Sequence, residues 1–248
     1  MPRPDRLDVV ADAAALARAT AAAFVESAAA AVRERGRFVV ALAGGSTPRA
    51  AYRLLADPAG PWPARVEWPR VEVFFGDERC VPPDHPDSNY RMAHEALLAH
   101  VPVGGVHRVR TELASADDAA RDYARALAEV TGEGPADDAP PPRLDLVLLG
   151  MGPDGHTASL FPGTTALAET RRWVVAPWVE KLGAPRVTLT YPVLARARRV
   201  VFAVGGADKA AALGQVLEAP PGAGPPAARV RPQGGELVWV VDRAAAGG

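Results

Sequence analysis

Three short segments of this 248-residue chain carry residues able to do chemistry, and each follows an apolar run. The first is Gly44-Gly45-Ser46-Thr47-Pro48, after a run that ends at Ala43. Glycines let a backbone approach a ligand closely. Thr47 suits a helix N-cap and Pro48 the first helical position, so a helix is expected over Arg49–Ala56. Free N–H groups, two hydroxyls and the positive end of a helix dipole would then converge on one point, an arrangement that fits a phosphate. No Gly-Lys-Ser/Thr follows, so this is not a Walker loop. An ordinary strand-to-helix turn has the same residues, and the segment alone leaves both readings open.

The second segment is Gly150-Met-Gly-Pro-Asp-Gly155-His156-Thr-Ala-Ser-Leu-Phe-Pro162. Its first six residues match Gly-x-Gly-x-x-Gly, a dinucleotide fingerprint when a helix follows. Pro162 falls where that helix should still be running. No acid lies about 20 residues beyond the glycines at the end of a following strand, where a ribose would be held. Asp154 and His156 instead suggest acid–base work. Gly155 allows a sharp turn that aims both side chains into one cleft, and an imidazole can take a proton from water and return it to a leaving oxygen. A histidine that merely hydrogen-bonds its own loop is the plainer reading.

The third segment is Gly76-Asp77-Glu78-Arg79-Cys80, followed through Ser88 to Asn89. Charges packed against the end of a buried strand are costly unless they pair or bind something. Arg79 fits an anion clamp or a structural ion pair. Cys80 has no neighbour that marks it as a nucleophile and is expected to serve packing. The histidines His85, His94, His100 and His107 lack His-x-x-x-His or zinc spacing. His94 and His100 are expected on a helix surface.

These segments need a scaffold that brings strand ends together. Continuous apolar runs at Arg37–Ala43, Val71–Phe75, Leu144–Leu149, Arg186–Thr190, Arg199–Val204 and Leu237–Val241 read as strands covered on both faces, as in a parallel sheet. Helical patterns lie between them at about Arg6–Arg35, Ser88–Val101 and Ser115–Val130, the last with Ser115 and Asp118 in capping-box spacing. Strand and helix in alternation predict an α/β fold, a mainly parallel sheet flanked by helices on both faces and Rossmann-like. The Gly/Pro-rich stretches Thr131–Arg143 and Glu218–Gly235 read as surface loops within a single domain over residues 1–248. In such sheets ligands bind beyond the carboxyl ends of the strands.

Composition narrows the partners. A net charge of -1 supplies no global field for nucleic acid or an anionic membrane, so an anion must be bound locally. The single cysteine excludes an internal disulfide and a thiolate metal cluster. No run approaches the roughly 20 apolar residues of a membrane span, and the N-terminus lacks the apolar centre of a signal peptide. A cytoplasmic protein is expected. Only two lysines occur, Lys181 and Lys209, and the second lies in the glycine-rich Gly205-Gly-Ala-Asp-Lys209.

Taken together and in this order, Ala43-Gly-Gly-Ser-Thr-Pro48, Gly76-Asp-Glu-Arg79 with Ser88-Asn89, Leu149–Pro162, Arg186-Val-Thr-Leu-Thr190 and Gly205–Lys209 resemble the 6-phosphogluconolactonases. The resemblance runs from the first helix to Trp239 and Asp242. It implies a fold shared with glucosamine-6-phosphate deaminases. It also implies hydrolysis of 6-phosphoglucono-1,5-lactone in the oxidative pentose phosphate pathway, with no metal and no organic cofactor. By resemblance His156 is the general base and Asp154 assists it. The same resemblance assigns Gly44, Gly45, Ser46, Thr47, Asp77, Arg79, Asn89, Arg186 and Lys209 to substrate and phosphate. The deaminase relatives carry a Glu five residues after this histidine, where the chain has Phe161. Amino-sugar-phosphate isomerisation or deamination is therefore the runner-up, and a non-catalytic sugar-phosphate sensor the third reading.

Overall fold

Buried apolar strands need cover on both faces, and the chain provides it by alternating strand and helix. A computed structural model describes residues 5–133, 139–220 and 222–248. Its strands, in chain order, are β1 (Arg6–Val10), β2 (Phe38–Leu42), β3 (Val71–Phe75), β4 (Asp77–Arg79), β5 (Gly105–Val106), β6 (Leu146–Leu149), β7 (Val174–Val175), β8 (Trp178–Val179), β9 (Ala184–Leu189), β10 (Arg199–Val204) and β11 (Glu236–Asp242). Its α-helices are α1 (Ala13–Arg35), α2 (Ser46–Ala56), α3 (Asn89–Ala93), α4 (Ala116–Thr131), α5 (Tyr191–Arg196) and α6 (Ala210–Glu218).

Seven strands form one sheet in the order β1-β11-β10-β6-β2-β3-β5, and every pairing is parallel. Along β2 the side chains alternate between two cores. Val39 and Ala41 join the core that also holds α4 and α6 residues, while Phe38, Val40 and Leu42 join the core under α1 and α2. That division accounts for the unbroken apolar run: no face of β2 meets water. Asp145 pins the strand from below, accepting from the Val39 N–H at 2.8 Å while Arg35 Nε donates to its other oxygen at 2.8 Å.

Four expectations change. The stretch Arg6–Arg35 is not one helix: Arg6–Val10 is an edge strand paired with β11, and α1 begins only at Ala13, capped by Asp12 accepting from the Ala15 N–H at 2.8 Å. At 23 residues α1 has the length and apolar character of a membrane span, contrary to the expectation of no such run. Its Leu16, Phe24, Val25 and Ala28 lie instead against the sheet. The strand expected at Arg186–Thr190 lies outside the parallel sheet. It is β9, antiparallel to β4, β7 and β8 in a smaller sheet whose short members sequence patterning did not reveal. Finally, Gly45 rather than Thr47 stands at the N-cap of α2.

The remaining elements match more closely. The expected helix at Ser88–Val101 is α3 continued by a wider turn at His94–Leu98, with His94 and His100 exposed. Ser115 caps α4, accepting from the Asp118 N–H at 3.0 Å and donating to its carboxylate at 2.7 Å. Of the two expected loops, residues 134–138 and 221 lie outside the described residues. The described remainder of the second loop holds only a short 3₁₀ turn at Pro226–Arg229.

Two tyrosines fasten the strand ends that face the site. The Tyr52 hydroxyl donates to the Ala43 carbonyl at 2.9 Å and accepts from the Ala43 N–H at 3.0 Å, just beyond β2. Tyr123 treats Phe75, the last residue of β3, in the same way, donating at 2.9 Å and accepting at 2.5 Å. Both hydroxyls are buried, and burial raises their pKa far above the ordinary phenol value. Removing one leaves a buried N–H and a buried C=O without partners, which costs about 1–3 kcal/mol for each unsatisfied group. Tyr123→Phe should therefore lower unfolding stability by about 2 kcal/mol or more, checked by urea denaturation with unchanged m-value.

Candidate active site

The carboxyl ends of β2, β3, β6 and β10 open into one cleft of about 430 Å³. The segments after these strands line it, together with Arg186 from β9 and Lys181 and Leu182 from the turn between β8 and β9. Each feature of its wall follows from local sequence.

After β2, Gly45 adopts φ 107°, a conformation open to glycine, and the chain turns directly into α2. No side chain caps this helix, so its first N–H groups face the cleft with the positive end of the dipole. A Cβ on Gly44 would lie 1.9 Å from Asn89 Oδ1. Only glycine there lets Asn89 sit beside the loop.

After β3, the chain crosses through Gly76 into β4, and the structure gives Asp77, Glu78 and Arg79 three separate tasks. Glu78 is buried and accepts from the N–H groups of Arg79, Asn89 and Tyr90 at 2.7, 2.8 and 2.8 Å and from the Ser88 hydroxyl at 3.1 Å. Burial pushes its pKa up, and the backbone donors oppose that rise. Asp77 accepts from Ser159 Oγ at 2.6 Å and from Asn89 Nδ2 at 3.2 Å, so the second and third motifs meet at its carboxylate. Arg79 stands opposite Arg186 in the β4–β9 register. Their guanidiniums donate to backbone carbonyls, those of Asp87 and Pro185, and among the described residues neither has a carboxylate ion-pair partner. Burial first, and then the Arg79 charge, push the Arg186 pKa down. Two half-desolvated cations so placed favour an anion. Cys80 next to them is half-buried against the core, and burial raises its thiol pKa.

After β6, residues 150–164 form turns and no helix, so the glycine pattern does not build a dinucleotide site. Gly152 N–H donates to the His156 carbonyl at 2.9 Å, and Gly155 N–H to the Gly152 carbonyl at 3.0 Å. Gly155 takes φ 72° where a Cβ would meet Pro225 at 2.4 Å. A Cβ on Gly152 would come within 2.1 Å of the His156 ring. The glycines are thus the space into which the imidazole folds. Ala158 holds φ 46°, an unusual backbone for a residue with a Cβ, between His156 and Ser159 on the cleft wall.

His156 lines the cleft, while Asp154 sits behind it rather than beside it on the wall. The Asp154 carboxylate and His156 Nδ1 are 2.5 Å apart. The other carboxylate oxygen accepts from Lys181 Nζ at 2.7 Å. Burial would raise the Asp154 pKa, but Lys181 and His156 outweigh it and hold the carboxyl well below the ordinary range. Asp154 is therefore an ionised acceptor, Nδ1 is its donor, and Nε2 is left as the basic atom. Phe161 stacks on the imidazole with ring centroids 3.9 Å apart.

After β10, Gly205 and Gly206 lead to Lys209, whose Nζ meets Asp208 at 2.7 Å on the rim. The buried Asp242 carboxylate accepts the Gly206 N–H at 3.1 Å and fixes this turn. Every residue expected at the site is in the cleft wall except Asp154. Sequence reasoning did not assign Ser159, Lys181 or Leu182. The hydroxyl of Ser159 was hidden inside a recognised motif, and Lys181 gave only the signal of being one of two lysines.

Comparison with known proteins places this geometry. The family profile described as glucosamine-6-phosphate isomerases/6-phosphogluconolactonase matches residues 11–239. A 6-phosphogluconolactonase from Synechocystis sp. is 44% identical over 224 residues, covering 87% of this chain and 86% of its own length. One from Nostoc sp. is 42% identical over 220 residues, with the same 87% and 86% coverage. Among solved structures, the 6-phosphogluconolactonase from Trypanosoma cruzi superposes with a TM-score of 0.88 at 31% identity, covering 100% of this chain and 97% of its own. The chain belongs to the glucosamine-6-phosphate isomerase/6-phosphogluconolactonase family.

Proposed function

We infer that this chain hydrolyses 6-phospho-D-glucono-1,5-lactone to 6-phospho-D-gluconate in the oxidative pentose phosphate pathway, as a single-domain cytoplasmic enzyme. The observation that carries the mechanism is one imidazole, backed by a carboxylate, on the wall of the cleft that also receives an uncapped helix N-terminus and four cationic side chains. The partner is a small sugar-phosphate lactone. Its phosphate docks at the Gly44–Thr47 loop with Lys209, while Arg79 and Arg186 supply further positive charge. Asp77 and Asn89 meet the sugar hydroxyls.

His156 Nε2 removes a proton from a water that attacks the lactone carbonyl. Negative charge grows on the carbonyl oxygen and is met by a guanidinium or by N–H groups of the Gly150–Gly155 loop. The imidazolium, stabilised by Asp154, then gives its proton to the departing ring oxygen, and the C–O bond breaks. The sum is one water added across one ester bond, so protons balance without an external acid.

Phe161 favours this reading over amino-sugar-phosphate isomerisation or deamination. Its ring lies flat on the imidazole, where the deaminase relatives offer a carboxylate, and a phenyl ring relays no proton. The braced His156–Asp154 pair likewise favours an enzyme over a sensor.

The decisive assay uses freshly generated 6-phosphogluconolactone, coupled to oxidation of the product and corrected for spontaneous opening. Turnover above background is expected; ammonia release from glucosamine 6-phosphate, with none from the lactone, would overturn the assignment. His156→Ala should lose about 10²–10⁴-fold in kcat while still binding 6-phosphogluconate, measured by calorimetry. Lys209→Ala should raise KM for the phosphorylated lactone with a much smaller change in kcat; an unmoved KM removes Lys209 from the phosphate site.

A further inference from the structure

Asp154 is a two-oxygen acceptor with two clients. Oδ1 faces His156 twice, at 2.5 Å from the ring Nδ1 and at 3.2 Å from the backbone N–H. Oδ2 has a single donor among the described residues, Lys181 Nζ at 2.7 Å. The terminal torsion of an aspartate is broad and roughly two-fold, so a carboxylate held at one oxygen can swing. Held at both, its plane is fixed, and with it the angle at which Oδ1 meets the imidazole.

Lys181 also reaches the other neighbour of that ring. Its ammonium lies 5.9 Å from the centroid of Phe161, which stacks on His156 at 3.9 Å. One lysine therefore binds the carboxylate on the edge of the imidazole and lies near the phenyl ring on its face. It arrives from a different part of the chain: β8 and β9 pair through Trp178–Pro185 and Val179–Ala184, and the turn Glu180–Leu182 between them closes through Gly183 at φ 58°. The Lys181 side chain is 58% exposed, so its ion pair adds little to folding, and a substitution there leaves the core untouched.

We propose that Lys181 is a positioning residue for the lactonase reaction, which clamps the second oxygen of Asp154 and so holds His156 at the angle needed for proton transfer. The inference rests on the hydrolytic role given to His156 above. Lys181 works through Asp154 and not on the sugar.

That routing makes the test specific. Lys181→Met should lower kcat about tenfold and leave KM within about twofold, and Lys181→Arg, which keeps the charge and the donor, should recover most of the loss. In an Asp154→Asn background, Lys181→Met should have almost no further effect, since there is no carboxylate to clamp. A full, independent loss in the double variant, or a rise in KM with kcat unchanged, would place Lys181 on the substrate and overturn the proposal. A second readout needs no substrate: the downfield Nδ1 proton of His156, assigned by its loss in His156→Asn, should shift or broaden in Lys181→Met. An unmoved, equally sharp resonance overturns the clamp. A wild-type chain that fails to open the lactone would refute the activity, and this resonance would still decide the role of Lys181.

Discussion

Four donors converge on the buried carboxylate of Glu78: three backbone N–H groups and the Ser88 hydroxyl. Two of those N–H groups open α3, and the third belongs to β4. One side chain thereby joins the strand that bears Asp77 and Arg79 to the helix that bears Asn89. A carboxylate removed from water is tolerated only when its lone pairs are filled, and here they are. The placement of Asp77, Arg79 and Asn89 rests on this node, and from β4 Asp77 reaches Ser159 of the histidine loop.

The two sheets have different duties. The parallel sheet delivers glycine-rich turns at the carboxyl ends of its strands, where N–H groups and a helix dipole are free. The small antiparallel sheet delivers charge: Arg79 and Arg186 lie opposite each other across β4 and β9, and Lys181 comes from the turn before β9. The cleft lies between a donor-rich wall that also carries Lys209 and a wall that carries Arg79 and Arg186. A phosphorylated lactone, with an anion at one end and a carbonyl that gains charge at the other, matches that division.

Much of this was legible in the residues. Continuous apolar runs marked the strands of the parallel sheet because both faces of each are buried, and Val71–Phe75 and Arg199–Val204 have the bounds the pattern gave. The loop chemistry was legible because glycines, hydroxyls and titratable residues follow directly on the apolar runs that end at Ala43, Phe75 and Leu149. Three things were not. The edge strand Arg6–Val10 lacks an apolar run, since one face is open to water, and Leu7 and Val9 are exposed. Strands of two or three residues, such as Asp77–Arg79, carry no period at all. The place of Asp154 behind His156 and the reach of Lys181 are tertiary facts, set by a turn that meets the loop from 27 residues away.

The paired tyrosine hydroxyls have a further consequence for how the cleft moves. Strand ends ordinarily fray, yet the peptide groups of Ala43 and Phe75 are each closed by a phenol that both gives and takes a proton. Amide hydrogens at this rim should exchange as slowly as those of the core, although they border an open cavity. The opposite bank, the β8–β9 hairpin, has Trp178 and Leu182 exposed, and its amides should exchange faster.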